Sequence, residues 1–332
     1  MLPGLERLLH SSFGGAPLWL WLAFHVIVLA LLGADFFLTR NKLAHRIVER
    51  RSYWLTAAWF LAAMLFALLV YRELSSQYAL EYLAGYGIEE ALSVDNLFVF
   101  LVLFRTFGLR SSEQRHLLFF GVVGAIAMRA VMIFAGVRLL DAFSWMNYIF
   151  GAILLYTAWH LLQTSRKPEE ETSPKIVTWL SRRLPVSSGN DQGHRFLIRQ
   201  NVDGHRRLRI TPLFLALIAI ETTDLIFAMD SIPAVLAVSH HPFIVYSSNI
   251  FAVLGLRSLY FSLAAALNRL HKLRYGLVVI LAFVGLKMML AHVLEVPTWI
   301  SLLILASVIA ATTIWSLVSK PAASKPTLTQ NG

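Results

Sequence analysis

The stretch Ile220–Pro233 places three carboxylates, Glu221, Asp224 and Asp230, inside a run that is otherwise apolar for about 27 residues. A run of that length is read as a membrane span. Each ionised side chain at its centre costs roughly 2.5–3.5 kcal/mol. Three of them in one span require compensating partners or a function. Ile88–Asn96 repeats the pattern with Glu89, Glu90, Asp95 and Asn96. These two segments are where a polar centre is expected inside an apolar molecule.

Composition agrees with a membrane class. The chain is 57% hydrophobic and 14% charged, with a mean hydropathy of +0.64, more than one soluble core can use. It has no cysteine, so it offers no disulfide framework, thiolate metal site or thiol redox chemistry of its own. The net charge of +10 is no nucleic-acid footprint, because the basic residues fall between apolar runs and form no single patch.

Nine spans are read, near 17–38, 53–71, 78–104, 116–137, 143–162, 212–238, 243–267, 275–294 and 297–318. The first carries only Arg7 as a fixed positive charge on its N-flank and no clear cleavage site, so it is expected to be retained. Of the 29 Lys and Arg residues, 23 lie in one set of alternate connecting segments, three in the other set and three within spans. By the positive-inside rule the N-terminus is expected outside and the C-terminus in the cytoplasm. Trp19, Trp21, Tyr53, Trp54, Tyr71, Trp145 and Trp299 near span ends read as interfacial anchors.

The segment 163–211 reads as a cytoplasmic linker. It has a turn-rich start at Lys167–Pro174 and a short interfacial helix carrying Ile176, Leu180 and Leu184. A small hairpin is expected where His194–Gln200 and His205–Thr211 flank Asn201–Gly204. Residues 319–332 are expected to be a disordered tail.

Spans three to five resemble spans six to eight. Glu89, Asp95 and Asn96 match Asp224, Asp230 and Ser231 in spacing. The next span of each half carries one buried arginine, Arg129 or Arg257, and the third carries His160 or Lys287. The halves run in opposite directions, so the fold expected is all-α: a polytopic membrane protein of about nine transmembrane helices with an inverted three-helix repeat. In transporters so built, sites lie at the repeat interface near the midplane.

Asp35, Glu89, Glu90, Asp95, Glu221, Asp224 and Asp230 make seven acids in or near the spans against three bases, Arg129, Arg257 and Lys287. Pairing alone leaves a negative excess. Protonation absorbs part of it, and a bound cation absorbs it best. Purely structural pairing is the competing account. Arg129, Arg257 and Lys287 read as supporting ion pairs, and Asp35, Glu90 and Asn249 as pathway residues. Glu221 and Asp224, three apart, share a helix face, whereas Asp224 and Asp230, six apart, are turned by about 120° on a continuous helix. For both to face one site the helix must unwind, with Pro233 freeing the Met229 carbonyl and Gly85 and Gly87 loosening the turn before Glu89. All-oxygen ligation suits Mg²⁺, Ca²⁺ or Mn²⁺, and an anion would want the opposite excess.

Other residues read more plainly. His25 is a packed or hydrogen-bonded core histidine, and His240, His241 and His292 are exposed or terminal histidines before they are metal relays. The eight methionines, including Met288 and Met289, are packing.

At Ile88–Glu89, Leu92–Asn96, Glu221, Asp224–Ala234, Pro242–Val245, Ser248–Arg257 and Tyr260–Phe261 the chain resembles the TerC/Alx family of integral membrane proteins, in its Alx-like branch, over nearly all of 15–318. The resemblance implies an inner-membrane exporter of divalent cations, chiefly Mn²⁺, with Glu89, Asp95, Asn96, Glu221, Asp224 and Asp230 as the acidic motif. The chain departs from the family's pattern at Glu90 and His160, where lysine is usual, and at His241, where an acid is usual.

The function expected is Mn²⁺ export driven by protons. No enzyme activity and no tightly bound cofactor are expected, and no nucleotide-binding loop is present in the sequence. The expected partners are the bilayer, a divalent ion and protons, with a homo-oligomer compatible. The rival is a membrane-bound stress-response, redox-modulating or protein-assembly factor without transport.

Overall fold

The computed structural model of the chain describes residues 11–40, 45–164, 195–202, 205–263, 273–291, 293 and 296–319. Among them are nine helices: α1 Leu18–Arg40, α2 His45–Glu73, α3 Ser76–Thr106, α4 Ser111–Ala142, α5 Met146–Thr164, α6 Pro212–Leu236, α7 Pro242–Leu263, α8 Leu273–Met289 and α9 Thr298–Val318. Each overlies one apolar run read from the sequence. The segments Trp54–Glu73, His116–Ala142, Pro212–Leu236 and Thr298–Val318 are long and apolar enough to cross a membrane. Large apolar side chains such as Trp54, Leu65, Val131, Tyr156, Ile226, Leu303 and Ile314 lie on the outside of the bundle. Water does not tolerate a surface of that kind, and lipid tails do.

Helix starts follow local chemistry. The Ser75 hydroxyl caps α3 by accepting the Tyr78 N–H at 3.2 Å. Thr211 caps α6 through the Phe214 N–H at 3.2 Å, with Pro212 at the first helical position, where its missing N–H costs nothing. Two short antiparallel hairpins complete the described residues. Strands β1 (Ser12–Phe13) and β2 (Ala16–Pro17) precede α1, and β3 (Leu197–Val202) pairs with β4 (His205–Ile210) from Leu197↔Ile210 to Val202↔His205. The second is the hairpin expected in the linker. It is docked on the bundle: the Phe196 ring lies 5.2 Å from Phe120 of α4 and 5.8 Å from Phe214 of α6. The interfacial helix expected around Ile176–Leu184 and the tail lie outside the described residues.

Two expectations about backbone are corrected. Helix α6 is continuous through Asp224 and Asp230, and α3 is continuous through Gly85 and Gly87. Pro233 falls in the last turn of α6, where one lost hydrogen bond does not break the helix, and its own carbonyl accepts the Ala237 N–H at 3.0 Å. Gly85 serves packing: a Cβ there would meet the Ser248 Oγ of α7 at 2.8 Å and Val235 at 3.0 Å.

Helix α3 packs on α7, α4 on α6, α3 on α6, and α5 on α8 most extensively of all. Small residues allow the last contact. A Cβ on Gly151 of α5 would meet Met289 Cγ at 2.6 Å and the Gly285 carbonyl oxygen at 2.9 Å. Close backbone approach at small residues is how helices associate in lipid, where no hydrophobic drive separates them from the solvent. Gly151→Val is therefore expected to destabilise by about 1–3 kcal/mol as an overpacked contact. It should lower the thermal midpoint of the detergent-solubilised protein, whereas Gly33→Ala, with nothing within 4 Å of its Cβ, leaves it unchanged or slightly raised.

Candidate functional site

Four helices meet at Arg129. Its side chain is fully buried, an arrangement tolerated only when every donor finds an anionic or carbonyl acceptor. Arg129 comes from α4 and forks onto Asp224 of α6, with Nη2 donating to Oδ1 at 3.0 Å and Nε to Oδ2 at 3.3 Å. Its Nη1 donates to Glu89 of α3 and to the Asn249 Oδ1 of α7 at 2.8 Å. The Asn249 Nδ2 donates to the other Glu89 oxygen at 2.8 Å. Glu89, Arg129, Asp224 and Asn249 form one closed network, with each carboxylate oxygen of Glu89 and Asp224 satisfied internally.

Beside the network is a small cavity lined by Phe100, Leu118, Gly121, Val122, Ala125, Ile220, Glu221, Asp224 and Val253. Its volume of about 30 Å³ has room for a water or two, or a partly dehydrated ion. Glu221, one turn before Asp224 on α6, lies across Gly124: a Cβ there would meet its carboxylate oxygens at 2.6 and 2.7 Å. Glu221 Oε1 is buried with no hydrogen-bond partner, as are Asn96 Oδ1 and Ser231 Oγ. A buried acceptor without a donor is costly, and marks a place where a cation or proton is wanted.

The remaining candidates are dispersed. Asp230 points to α5, where Thr157 Oγ1 donates to its Oδ1 at 2.8 Å and His160 is near enough to act on its charge. The continuous α6 thus turns Asp230 away from Asp224. Glu90 accepts from the Tyr86 hydroxyl at 2.9 Å and faces Gly255 of α7. Lys287 donates to Ser301 Oγ of α9 at 3.0 Å, away from Arg129's network. The side chains of Asp35, Asp95 and Arg257, and His292, lie outside the described residues. Among the described residues no three histidine or acidic side chains converge on one point at ligand spacing.

Counting charges along the sequence missed Glu81. It lies inside the third expected span and is 7% exposed. Gln77 Nε2 donates to its Oε1 at 3.1 Å and Ser239 Oγ to its Oε2 at 2.6 Å. His241, expected as an exposed turn histidine, is half-buried between the Tyr78 ring, 4.5 Å away, and Gly15 of the first hairpin, where any Cβ would collide with the imidazole. The His241 backbone N–H donates to Ser239 Oγ at 3.2 Å. His25 is the core histidine expected, with Nδ1 2.8 Å from the Trp21 carbonyl and Nε2 3.3 Å from the Tyr246 hydroxyl.

Burial holds the His241 imidazole below its ordinary pKa, against the opposing pull of the Gly15 carbonyl and the Glu81 charge. Because the folded value is depressed, the stability this supplies is present above the ordinary histidine value of about 6.5 and is lost as pH falls through the folded value. Thermal melts across pH 7.5 to 5 should therefore decline more steeply for the parent than for His241→Gln, and parallel curves would contradict the assignment.

The profile of the integral membrane protein TerC family matches residues 74–324. An uncharacterised membrane protein of Myxococcus xanthus is 39% identical over 92% of this chain and 93% of its own length. A protein of Escherichia coli K12 named as a candidate membrane-bound redox modulator, Alx, is 39% identical over 90% of this chain and 94% of its own. An uncharacterised membrane protein of Rickettsia bellii is 35% identical, covering 90% and 97%. No solved structure matches the chain.

Proposed function

Because the chain belongs to the integral membrane protein TerC family, we propose that it is a divalent cation transporter of the bacterial inner membrane, exporting Mn²⁺ from the cytoplasm. One observation carries the reading. Glu221 presents a buried, unpartnered carboxylate oxygen to a glycine-floored cavity that it shares with Asp224. Carboxylate oxygens are the donor set of a hard divalent ion, and the chain has no thiolate to recruit a softer one. Mn²⁺ is cargo here, and no resident cofactor or enzyme chemistry is invoked.

The nine helices are read as nine spans, with the N-terminus outside and the C-terminus in the cytoplasm, from the alternation of basic residues. The inverted repeat is supported by the packing. Exchanging α3, α4 and α5 with α6, α7 and α8 maps the contact of α3 with α7 onto that of α6 with α4, and returns those of α5 with α8 and α3 with α6 to themselves. The cavity then lies where the halves meet. Glu90 and Asp230, hydrogen-bonded to Tyr86 and Thr157 outside the Arg129 network, are the groups assigned to carry protons inward as the metal leaves.

The name of the Escherichia coli relative favours a second reading, a redox modulator. The absence of cysteine removes thiol exchange from what this chain itself can do. The two readings part in vesicles containing only the purified protein. Mn²⁺ flux should be carried by the parent in preference to Mg²⁺, Ca²⁺ and Zn²⁺, with proton counterflow. Glu221→Gln should reduce it at least about tenfold at normal expression, since removing one anionic ligand from a few-ligand site costs affinity. Absence of flux for all four ions in the parent would overturn transport and leave the non-transport reading standing.

A further inference from the structure

Resting on the transport reading, we propose that Arg129 is a tethered substitute for the cargo: its guanidinium occupies the carboxylates of the empty carrier, and a divalent ion must displace it from Asp224 to bind. Asp224 belongs to two sites at once. Both of its oxygens accept from Arg129, and it also lines the cavity into which Glu221 points. Both Glu89 oxygens are taken as well, by Arg129 and by Asn249. Every carboxylate oxygen of this pair carries a guanidinium or amide donor while the network is closed. An ion beside Glu221 gains the undivided charge of Asp224 only when the fork opens, and its own charge repels the guanidinium that must leave. Asn249, which accepts from Arg129 and donates to Glu89, is placed to keep one end of Arg129 anchored while Asp224 changes partners.

The arrangement leaves Asp224 paired with a cation in the empty carrier as well as in the loaded one. A carrier with bare carboxylates at its centre would pay the full desolvation penalty whenever it changed conformation without cargo. With Arg129 in place the penalty is already compensated. The proposal also accounts for the choice of arginine. A guanidinium can fork onto Asp224 and reach Glu89 and Asn249 together, whereas a lysine ammonium is a single point of charge.

The competing account is that Arg129 only staples α4 to α3, α6 and α7. The two accounts predict opposite signs. If Arg129 is a staple, removing it scatters the carboxylates and weakens ion binding. If it is a substitute for cargo, removing it frees them and strengthens binding. The experiment is calorimetric titration of Mn²⁺ into the full-length protein in nanodiscs, for the parent, Arg129→Gln and Arg129→Lys. Arg129→Lys keeps the charge and so guards against a variant that fails to fold. The dissociation constant is expected to fall by about tenfold in Arg129→Gln and by about threefold in Arg129→Lys, as the fork onto Asp224 is lost or weakened. Mn²⁺ should also raise the melting temperature of Arg129→Gln more than that of the parent. In vesicles, the ratio of Mn²⁺–Mn²⁺ exchange to net efflux should rise in Arg129→Gln, because the empty carrier returns more slowly. Unchanged or weaker binding in a folded variant, with the parent binding normally, overturns the substitution idea and leaves transport intact. A parent that takes up no Mn²⁺ overturns both.

Discussion

One buried guanidinium organises the centre of this protein. Arg129 cannot sit fully buried in an apolar bundle unless anions come to it, and Glu89 and Asp224 cannot sit there unless a cation does. The network joins α3, α4, α6 and α7, so the packing of those helices and the charge of the site are a single problem with a single solution. Asn249 completes it by giving its amide oxygen to Arg129 and its amide nitrogen to Glu89, which leaves neither carboxylate with an idle oxygen.

Around that centre the structure separates acids that the sequence groups together. A continuous helix turns residues six apart by about 120°, so Asp230 is directed to Thr157 on α5 while Asp224 faces Arg129. Glu221, one turn from Asp224, shares its side of α6 and reaches the floor made by Gly121 and Gly124. Glu90 is adjacent in sequence to Glu89 and turned toward Tyr86 and Gly255. The carboxylates are thus divided into one pair sharing Arg129, one exposed to a cavity, and others held by neutral hydroxyls. The proposed exchange of a metal for protons calls for differently placed acids, which a single cluster of like charges would not provide.

Much of this was legible in the residues themselves. Three acids in an apolar run of α6 and the matching acids of α3 identified both segments, and Arg129, deep in the apolar run of α4, was readable as their counter-ion. The nine apolar runs gave the helices because each is long enough to satisfy its backbone internally. Helix continuity was not legible, because Pro233 and Gly85 have two meanings each. A proline breaks a helix interior and is harmless in a last turn, and a glycine loosens a turn or admits a neighbour, here Ser248 and Val235. Glu81 went uncounted and His241 was read as exposed, yet the Ser239 turn covers the first and the first hairpin the second. No local pattern announces that a distant segment closes over a residue.

The functional account reduces to whether the buried carboxylates take a divalent metal. The most direct measurement is the electron paramagnetic resonance signal of free Mn²⁺ titrated with purified protein in nanodiscs. The account predicts that the free-ion signal falls in proportion to protein, that added Mn²⁺ saturates the loss, and that acidification returns the ion to solution as protons take its place. A free-ion signal unaffected by protein at any pH would contradict it.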